Sequence, residues 1–134
     1  MLNKAIVSAA GLGTRLLPAT KEQPKEMLPI FSLDGDNRSQ LKPLLQLIFE
    51  QLHDLGLRRF CFIIGRGKRA IEDHFTQDYD FTNSLRNKNK FSSFRDLEGF
   101  YGRLDDSTIV WLNQPEPKGF GEAVLRGRRF IGQD

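Results

Sequence analysis

The chain has 134 residues, of which 39% are hydrophobic and 28% charged, and a formal net charge of +3. This is one domain by size and ordinary globular composition, which excludes disorder throughout; the mild positive balance suits collection of small phosphorylated molecules and does not single out a nucleic-acid binder. The lone cysteine, Cys61, excludes an intramolecular disulfide, and no apolar run nears the ~20 residues needed to cross a bilayer, so the expectation is a cytoplasmic protein with no membrane and no nucleic acid among its partners.

Ala5 to Ala10 is a short apolar run ending in small residues, which suits a buried strand of a parallel sheet. Gly11 and Gly13 follow and leave room for main-chain N–H groups to approach an anion or a base edge. Arg15 adds a fork of donors suited to phosphate oxygens, and Lys25, from the Pro24-Lys25 step, adds a mobile point charge. Neither common nucleotide motif is present. A P-loop needs Gly-x-x-x-x-Gly-Lys-Ser/Thr, and the dinucleotide fingerprint needs a third glycine where Leu16 stands. A bare Gly-x-Gly also reads as a tight turn after a strand.

Phe31 to Gln40 is polar, carries the turn signal Asp34-Gly35-Asp36-Asn37, and is expected as a surface excursion. From Lys42 to Leu55, Leu44, Leu45, Ile48, Leu52 and Leu55 recur at helical spacing; the predicted amphipathic helix has Pro43 in its first turn and ends at Gly56. Arg59 to Ile64 reads as a second buried strand that includes Cys61. Gly65-Arg66-Gly67-Lys68-Arg69 then breaks it, either as a second phosphate site or as a strand-to-helix turn with solvated basic residues. Ile71 and Phe75 lie one turn apart on a short helix, and His74, with only its neighbours Glu72 and Asp73 nearby in sequence, reads as structural rather than metal-binding.

Residues 76–106 are polar, with aromatics from Tyr79 to Tyr101 and cations at Arg86, Lys88 and Lys90. Aromatics among cations can stack on single-stranded nucleic acid; a partly helical arm packing its aromatics on the body, or on another subunit, is the preferred reading. Thr108 to Leu112 is a third strand, Lys118-Gly119-Phe120-Gly121 a second glycine turn, and Glu122 onward a helix through Val124, Leu125 and Ile131. The alternation of strand and helix is that of an α/β domain with a mainly parallel sheet, in which ligands gather at the carboxyl ends of the strands. Both glycine turns fall there, so their convergence on one nucleotide is expected.

The run Gly11-x-Gly13-Thr14-Arg15, Pro18, Thr20 and Pro24-Lys25-Glu26-Met27-Leu28-Pro29 resembles the signature of the sugar-phosphate nucleotidyltransferases. It looks most like that of the UDP-glucose pyrophosphorylases (UTP–glucose-1-phosphate uridylyltransferases) of bacteria and archaea. Lys42-Pro43-Leu44, the strand near Phe60–Ile64 and Ile71-Glu72-Asp73-His74-Phe75 are similar to that family in order and spacing, and the stretch from Gln114 to Ala123 resembles its second nucleotide motif. Residues 76–106 are least alike and fall where these pyrophosphorylases carry a helical insertion. The resemblance implies a three-layer Rossmann-like nucleotidyltransferase domain with a mainly parallel sheet, truncated after the third strand-helix unit, with residues 1–134 as its nucleotide-binding N-terminal portion.

The resemblance further implies that a sugar 1-phosphate oxygen attacks the α-phosphorus of UTP and pyrophosphate leaves. The nucleophile is already an anion, so catalysis rests on positioning and charge stabilisation. Arg15 is assigned to the leaving β,γ-phosphates and Lys25 to the α-phosphate. Ala10, Gly11, Leu12, Gly13, Thr14, Gln114 and Gly119 are assigned to the nucleotide, with the backbone at Ala10, Gly11 and Gly119 and the Gln114 amide reading the base. Gln114 also reads as a polar strand end. Mg²⁺ is implied for the family, but its aspartate belongs to a strand after the helix that closes this sequence. No metal ligand is therefore assigned: Asp134 belongs by alignment to the loop before that strand, and Asp34, Asp36 and Asp73 are poor substitutes. The expected function is uridylyl transfer from UTP to a sugar 1-phosphate, with this chain carrying the nucleotide half and weak or inactive alone, and with a homo-oligomer or a complementing chain as partner. The alternatives are a dTTP-dependent glucose-1-phosphate thymidylyltransferase, against which Glu26-Met27 and the long insertion weigh, and a non-catalytic nucleotide-binding or assembly module.

Overall fold

The computed structural model describes residues 1–132, and Asp134 lies outside the described residues. In chain order the elements are β1 (Lys4–Ala9), β2 (Pro29–Leu33), β3 (Ser39–Pro43), α1 (Leu44–Asp54), β4 (Arg59–Ile64), α2 (Arg69–His74), α3 (Tyr79–Asn87), α4 (Phe91–Asp105), β5 (Thr108–Asn113), α5 (Phe120–Arg126) and α6 (Arg128–Ile131). Strands β1, β4 and β5 form a parallel sheet in that order, and Ala9, Ile64 and Asn113 stand level at its carboxyl end.

The central strand β4 is apolar without alternation because both of its faces are covered. Phe60, Phe62 and Ile64 point into a core with Leu45 and Phe49 of α1, Ile71 of α2 and Phe100 of α4. Cys61 and Ile63 point the other way, against Ala123 of α5 and Phe130 of α6. Helices on both faces of the sheet make three layers. Phe49 is the hub of the larger core, with edge-on rings of Phe60 at 4.9 Å, Phe75 at 5.6 Å and Phe100 at 6.0 Å between centroids.

Local structure departs from the sequence expectation in several places. The stretch from Phe31 to Gln40 is no loose excursion: β2 and β3 pair antiparallel around the expected turn. The Asp34 carboxylate accepts from the main-chain N–H groups of Asp36 (2.9 Å) and Arg38 (2.8 Å), and Asn37 takes a φ of 57°. The Arg38 N–H, and then its guanidinium, hold the Asp34 carboxyl below its ordinary range. This hairpin shortens the predicted helix, so Lys42 ends a strand and Pro43 caps α1 in extended conformation instead of sitting in its first turn. The buried side of α1 also differs. Leu45 and Phe49 are 1% and 0% exposed, whereas Leu44 and Leu55 are 37% and 78% exposed.

That buried side carries Gln46, Glu50 and His53 as well. Glu50 is satisfied by Lys42 (2.9 Å), by the Gln46 amide (3.1 Å) and by Arg103 of α4 (3.0 Å), which ties the hairpin, α1 and α4 together. Residues 76–106 form α3 and α4; Phe100, Tyr101 and Leu104 are buried on the body, and Tyr79, Phe81 and Phe91 stay exposed. The single terminal helix expected from Glu122 is two, broken at Gly127. A Cβ there would stand 2.4 Å from Ile6 Cδ1, so this segment lies close enough to β1 that a side chain at 127 would have to push Ile6 aside. Among the described residues no helix is long and apolar enough to cross a membrane.

His74 occupies the structural role read for it. Its Nε2 donates to Gln46 Oε1 (2.8 Å) and its ring stacks on Phe100. Burial lowers its pKa from 6.5, against the opposing charge of Glu50. The unfolded chain therefore takes up this proton first as pH falls, so the contribution of neutral His74 to stability is full above about pH 6.5 and is lost as pH drops through the lowered folded value. Urea midpoints between pH 8 and pH 5 are expected to fall less steeply in His74→Phe than in the wild type; equal slopes would show that another group governs the acid limb.

Candidate functional site at the sheet's carboxyl end

The loops that follow β1, β4 and β5 leave the sheet side by side. A Cβ on Gly65, just after β4, would sit 3.1 Å from the carbonyl oxygen of Ala10, just after β1, so the two loops touch through backbone. On the other side the Gln114 N–H donates to the Ile64 carbonyl (2.8 Å).

In the first loop Gly13 adopts φ 68° and caps a short 3-10 turn, Thr14–Leu16. Thr20 donates its hydroxyl to the Gly13 carbonyl (2.6 Å), closing the loop on itself. Pro24 starts a second 3-10 turn, Lys25–Met27, which swings Lys25 back over the glycines. A Cβ on Gly11 would lie 3.4 Å from Lys25 Nζ, and one on Gly13 would lie 3.5 Å from Lys25 Cβ. The structure thus brings Lys25, Gly11 and Gly13 together. Arg15 stands exposed on the first turn, and its side chain makes no hydrogen bond or ion pair with another described residue. Leu12 and Thr14 are exposed beside it, and Ala10 is buried with only its main chain to offer.

Beneath Lys25 its neighbour Glu26 turns inward. Glu26 Oε2 accepts from Lys68 Nζ at 3.0 Å, with side-chain exposures of 8% and 7%. Lys68 is therefore neither a solvated surface lysine nor a free phosphate ligand, the two readings that the 65–69 run invited; Arg66 and Arg69 remain exposed. The pair joins the first loop to the N-terminal end of α2. Sequence reasoning missed it because the partners lie 42 residues apart. The available signal was an acidic residue set in a proline-bounded turn beside a candidate phosphate lysine.

In the third loop Gln114 is 3% exposed. Its Nε2 donates to the Glu122 carboxylate and to the Gly119 carbonyl (3.4 Å), so it is more than a polar strand end, and Gly119 holds φ 96°. Arg126 Nε donates to the other Glu122 oxygen at 2.8 Å. The Gln114 amide, and after it Arg126, hold the Glu122 carboxyl below its ordinary range. In the sequence Glu122 carries no signal beyond opening a helix.

Among the described residues no group of three or more His, Cys, Asp or Glu is placed to hold a metal ion. The carboxylates of these loops are engaged, Glu26 by Lys68 and Glu122 by Gln114 and Arg126. The described residues therefore hold no preformed cluster of ligands for a divalent cation. A groove of about 820 Å³ lies elsewhere, between the hairpin, α1 and α4, and its charges, such as Arg38 with Asp96 and Lys42 with Glu50, pair with one another.

A family model described as nucleotidyl transferase matches residues 4–134. The UTP–glucose-1-phosphate uridylyltransferase of Pseudomonas aeruginosa is 40% identical over 134 residues, which are 100% of this chain and 44% of that protein. A putative UTP–glucose-1-phosphate uridylyltransferase of Methanocaldococcus jannaschii is 38% identical over 100% of this chain and 43% of that protein. Among solved structures, a UTP-bound UGPase from Acinetobacter baumannii superposes with a TM-score of 0.81 at 28% identity, over 100% of this chain and 43% of that one. A UDP-glucose pyrophosphorylase complexed with UDP-glucose gives a TM-score of 0.72 at 34% identity, over 98% of this chain and 42% of that one. The chain thus spans less than half the length of the relatives it matches, over their N-terminal part.

Proposed function

Because the chain belongs to the nucleotidyl transferase family, we propose that residues 1–134 form the nucleotide-binding portion of a uridylyltransferase domain and hold UTP in the loops after β1, β4 and β5. The observation that carries this reading is the Lys25 ammonium against the Gly11 backbone, at the carboxyl end of a parallel sheet. Relatives named for UTP and glucose 1-phosphate, and a solved neighbour bound to UTP, support the choice of nucleotide.

The reaction class is nucleotidyl transfer. An oxygen of a sugar 1-phosphate attacks the α-phosphorus of UTP, the bond from that phosphorus to the bridging oxygen breaks, and pyrophosphate leaves with the electron pair. The nucleophile arrives as an anion and needs no general base. What the protein must supply is fixed positive charge that lets two anions approach. Lys25, on the Gly11 backbone, takes the α-phosphate, and Arg15, on the outer turn, takes the β,γ-phosphates. The main chain of Leu12, Gly13 and Thr14 lines the phosphates, while Ala10, Gly11, Gln114 and Gly119 hold the base. The family generally works with a divalent metal, for which the described residues form no cluster of three or more ligands.

For the 134-residue chain the testable part is nucleotide binding. Calorimetric titration is expected to show saturable UTP binding that exceeds dTTP binding, and Arg15→Ala is expected to weaken it about tenfold, the loss of one charge-assisted phosphate contact. Tighter binding of dTTP than of UTP would move the reading to thymidylyl transfer, and no nucleotide binding would overturn it.

A further inference from the structure

Gln114 is held in one orientation. Its Nε2 lies between two oxygens that can only accept, the Glu122 carboxylate and the Gly119 carbonyl. Turning the amide over would set its own oxygen against both, with no hydrogen to share. The Glu122 carboxylate is itself fixed by Arg126 from the next turn of α5 (2.8 Å), and the Gln114 backbone is fixed by its bond to Ile64 (2.8 Å). The oxygen end of the amide is thereby the end left for a ligand. Among the described residues only Glu26 Oε1 and His53 Nδ1 are buried polar side-chain atoms without a partner. Gln114 Oε1, which accepts from no protein donor, is therefore not fully enclosed, although the residue as a whole is only 3% exposed.

We infer that Glu122 is a specificity-determining residue: by holding the Gln114 amide it presents Oε1 as a fixed acceptor that selects nucleotide bases with a ring N–H donor. The inference rests on the nucleotide site proposed above and adds the rule by which that site chooses its base. Uracil and thymine carry an N–H at ring position 3. Cytosine carries a bare lone pair there, which would face Oε1 with like polarity and leave both unpaired, a costly arrangement in a desolvated site. Glu122 acts through Gln114 and needs no contact with the ligand.

The test is the ratio of affinities for UTP and CTP, measured by calorimetry on the wild-type chain and on Glu122→Gln, with folding verified by circular dichroism. A glutamine amide can face Gln114 with either end, so the stronger of the two constraints on the orientation is lifted, leaving only the long contact to the Gly119 carbonyl (3.4 Å), while the size of the side chain is kept. The preference for UTP over CTP is expected to fall about tenfold in the variant, the effect of one oriented hydrogen bond. A second arm needs no variant: UTP methylated at ring nitrogen 3 should bind the wild-type chain at least about tenfold more weakly than UTP. UTP binding with an unchanged ratio in Glu122→Gln, or undiminished binding of the methylated nucleotide, overturns the inference and leaves the nucleotide site standing. Absence of UTP binding by the wild type overturns the site and the inference together.

Discussion

Lys68→Met is expected to lower the stability of the chain by about 3–5 kcal/mol, read as the shift of its urea unfolding midpoint at neutral pH, because it leaves the Glu26 carboxylate buried without its counter-charge. The lysine's Nζ lies 3.0 Å from Glu26 Oε2, and neither side chain is more than 8% exposed. The environment cannot absorb the loss, since Glu26 Oε1 is already buried with no partner. That orphaned oxygen also means that the pair is a weak net stabiliser, because desolvation of both groups is offset by one good contact only. The double variant Lys68→Met/Glu26→Met should accordingly recover most of the stability, to within about 1–2 kcal/mol of wild type. What it should not recover is UTP affinity. The pair fixes the turn Lys25–Met27 against the start of α2, and with the turn released, Lys25 is no longer held over Gly11. A single variant as stable as the wild type would show that Lys68 does not hold this turn.

The same pair marks the limit of what the sequence made legible. The strand from Arg59 to Ile64 reads directly, because an unbroken apolar run between two breaks has few other uses. The glycine loops read directly too, and the parallel order β1-β4-β5 sets them at the same end of the sheet, with the loop after β4 between them. The face of α1 was not legible. Leu44, Leu45, Leu47, Ile48 and Phe49 are apolar all round the helix, so spacing alone could not choose Phe49, wholly buried, over Leu44, which stays at the surface. That choice was made by the core, where Phe49 meets Phe60, Phe75 and Phe100. The hairpin of β2 and β3 was not legible either, because Phe31, Leu33 and Leu41 point outward and Gln40 and Lys42 inward, the reverse of the usual pattern. Glu26 with Lys68, and Glu122 with Gln114, are ionic or amide contacts made by folding, and no local spacing announces them.

Gly11→Val is expected to reduce UTP affinity by on the order of 100-fold while changing the unfolding free energy by less than about 1 kcal/mol. The reason for glycine differs between the two loop positions. Gly13 has φ 68° and would set a Cβ 3.3 Å from both Cβ and Cγ2 of Thr20, so a side chain there is strained and crowded, and Gly13→Ala should cost about 1–2 kcal/mol of stability. Gly11 has no such backbone requirement. A Cβ there meets only the far end of the Lys25 side chain, Nζ at 3.4 Å and Cε at 3.8 Å, which can swing into solvent. The two methyl groups of valine would therefore displace the ammonium and cover the main chain where phosphate is proposed to lie. Losing one charge-assisted contact, worth about 1.5–3 kcal/mol, together with the steric block, accounts for the predicted loss. Paired calorimetry and urea unfolding on Gly11→Val and Gly13→Ala separate the two roles. If Gly11→Val bound UTP as tightly as the wild type, neither the Lys25 ammonium nor the backbone beneath it could be touching the nucleotide, and the site would have to be sought along the Gln114 loop alone.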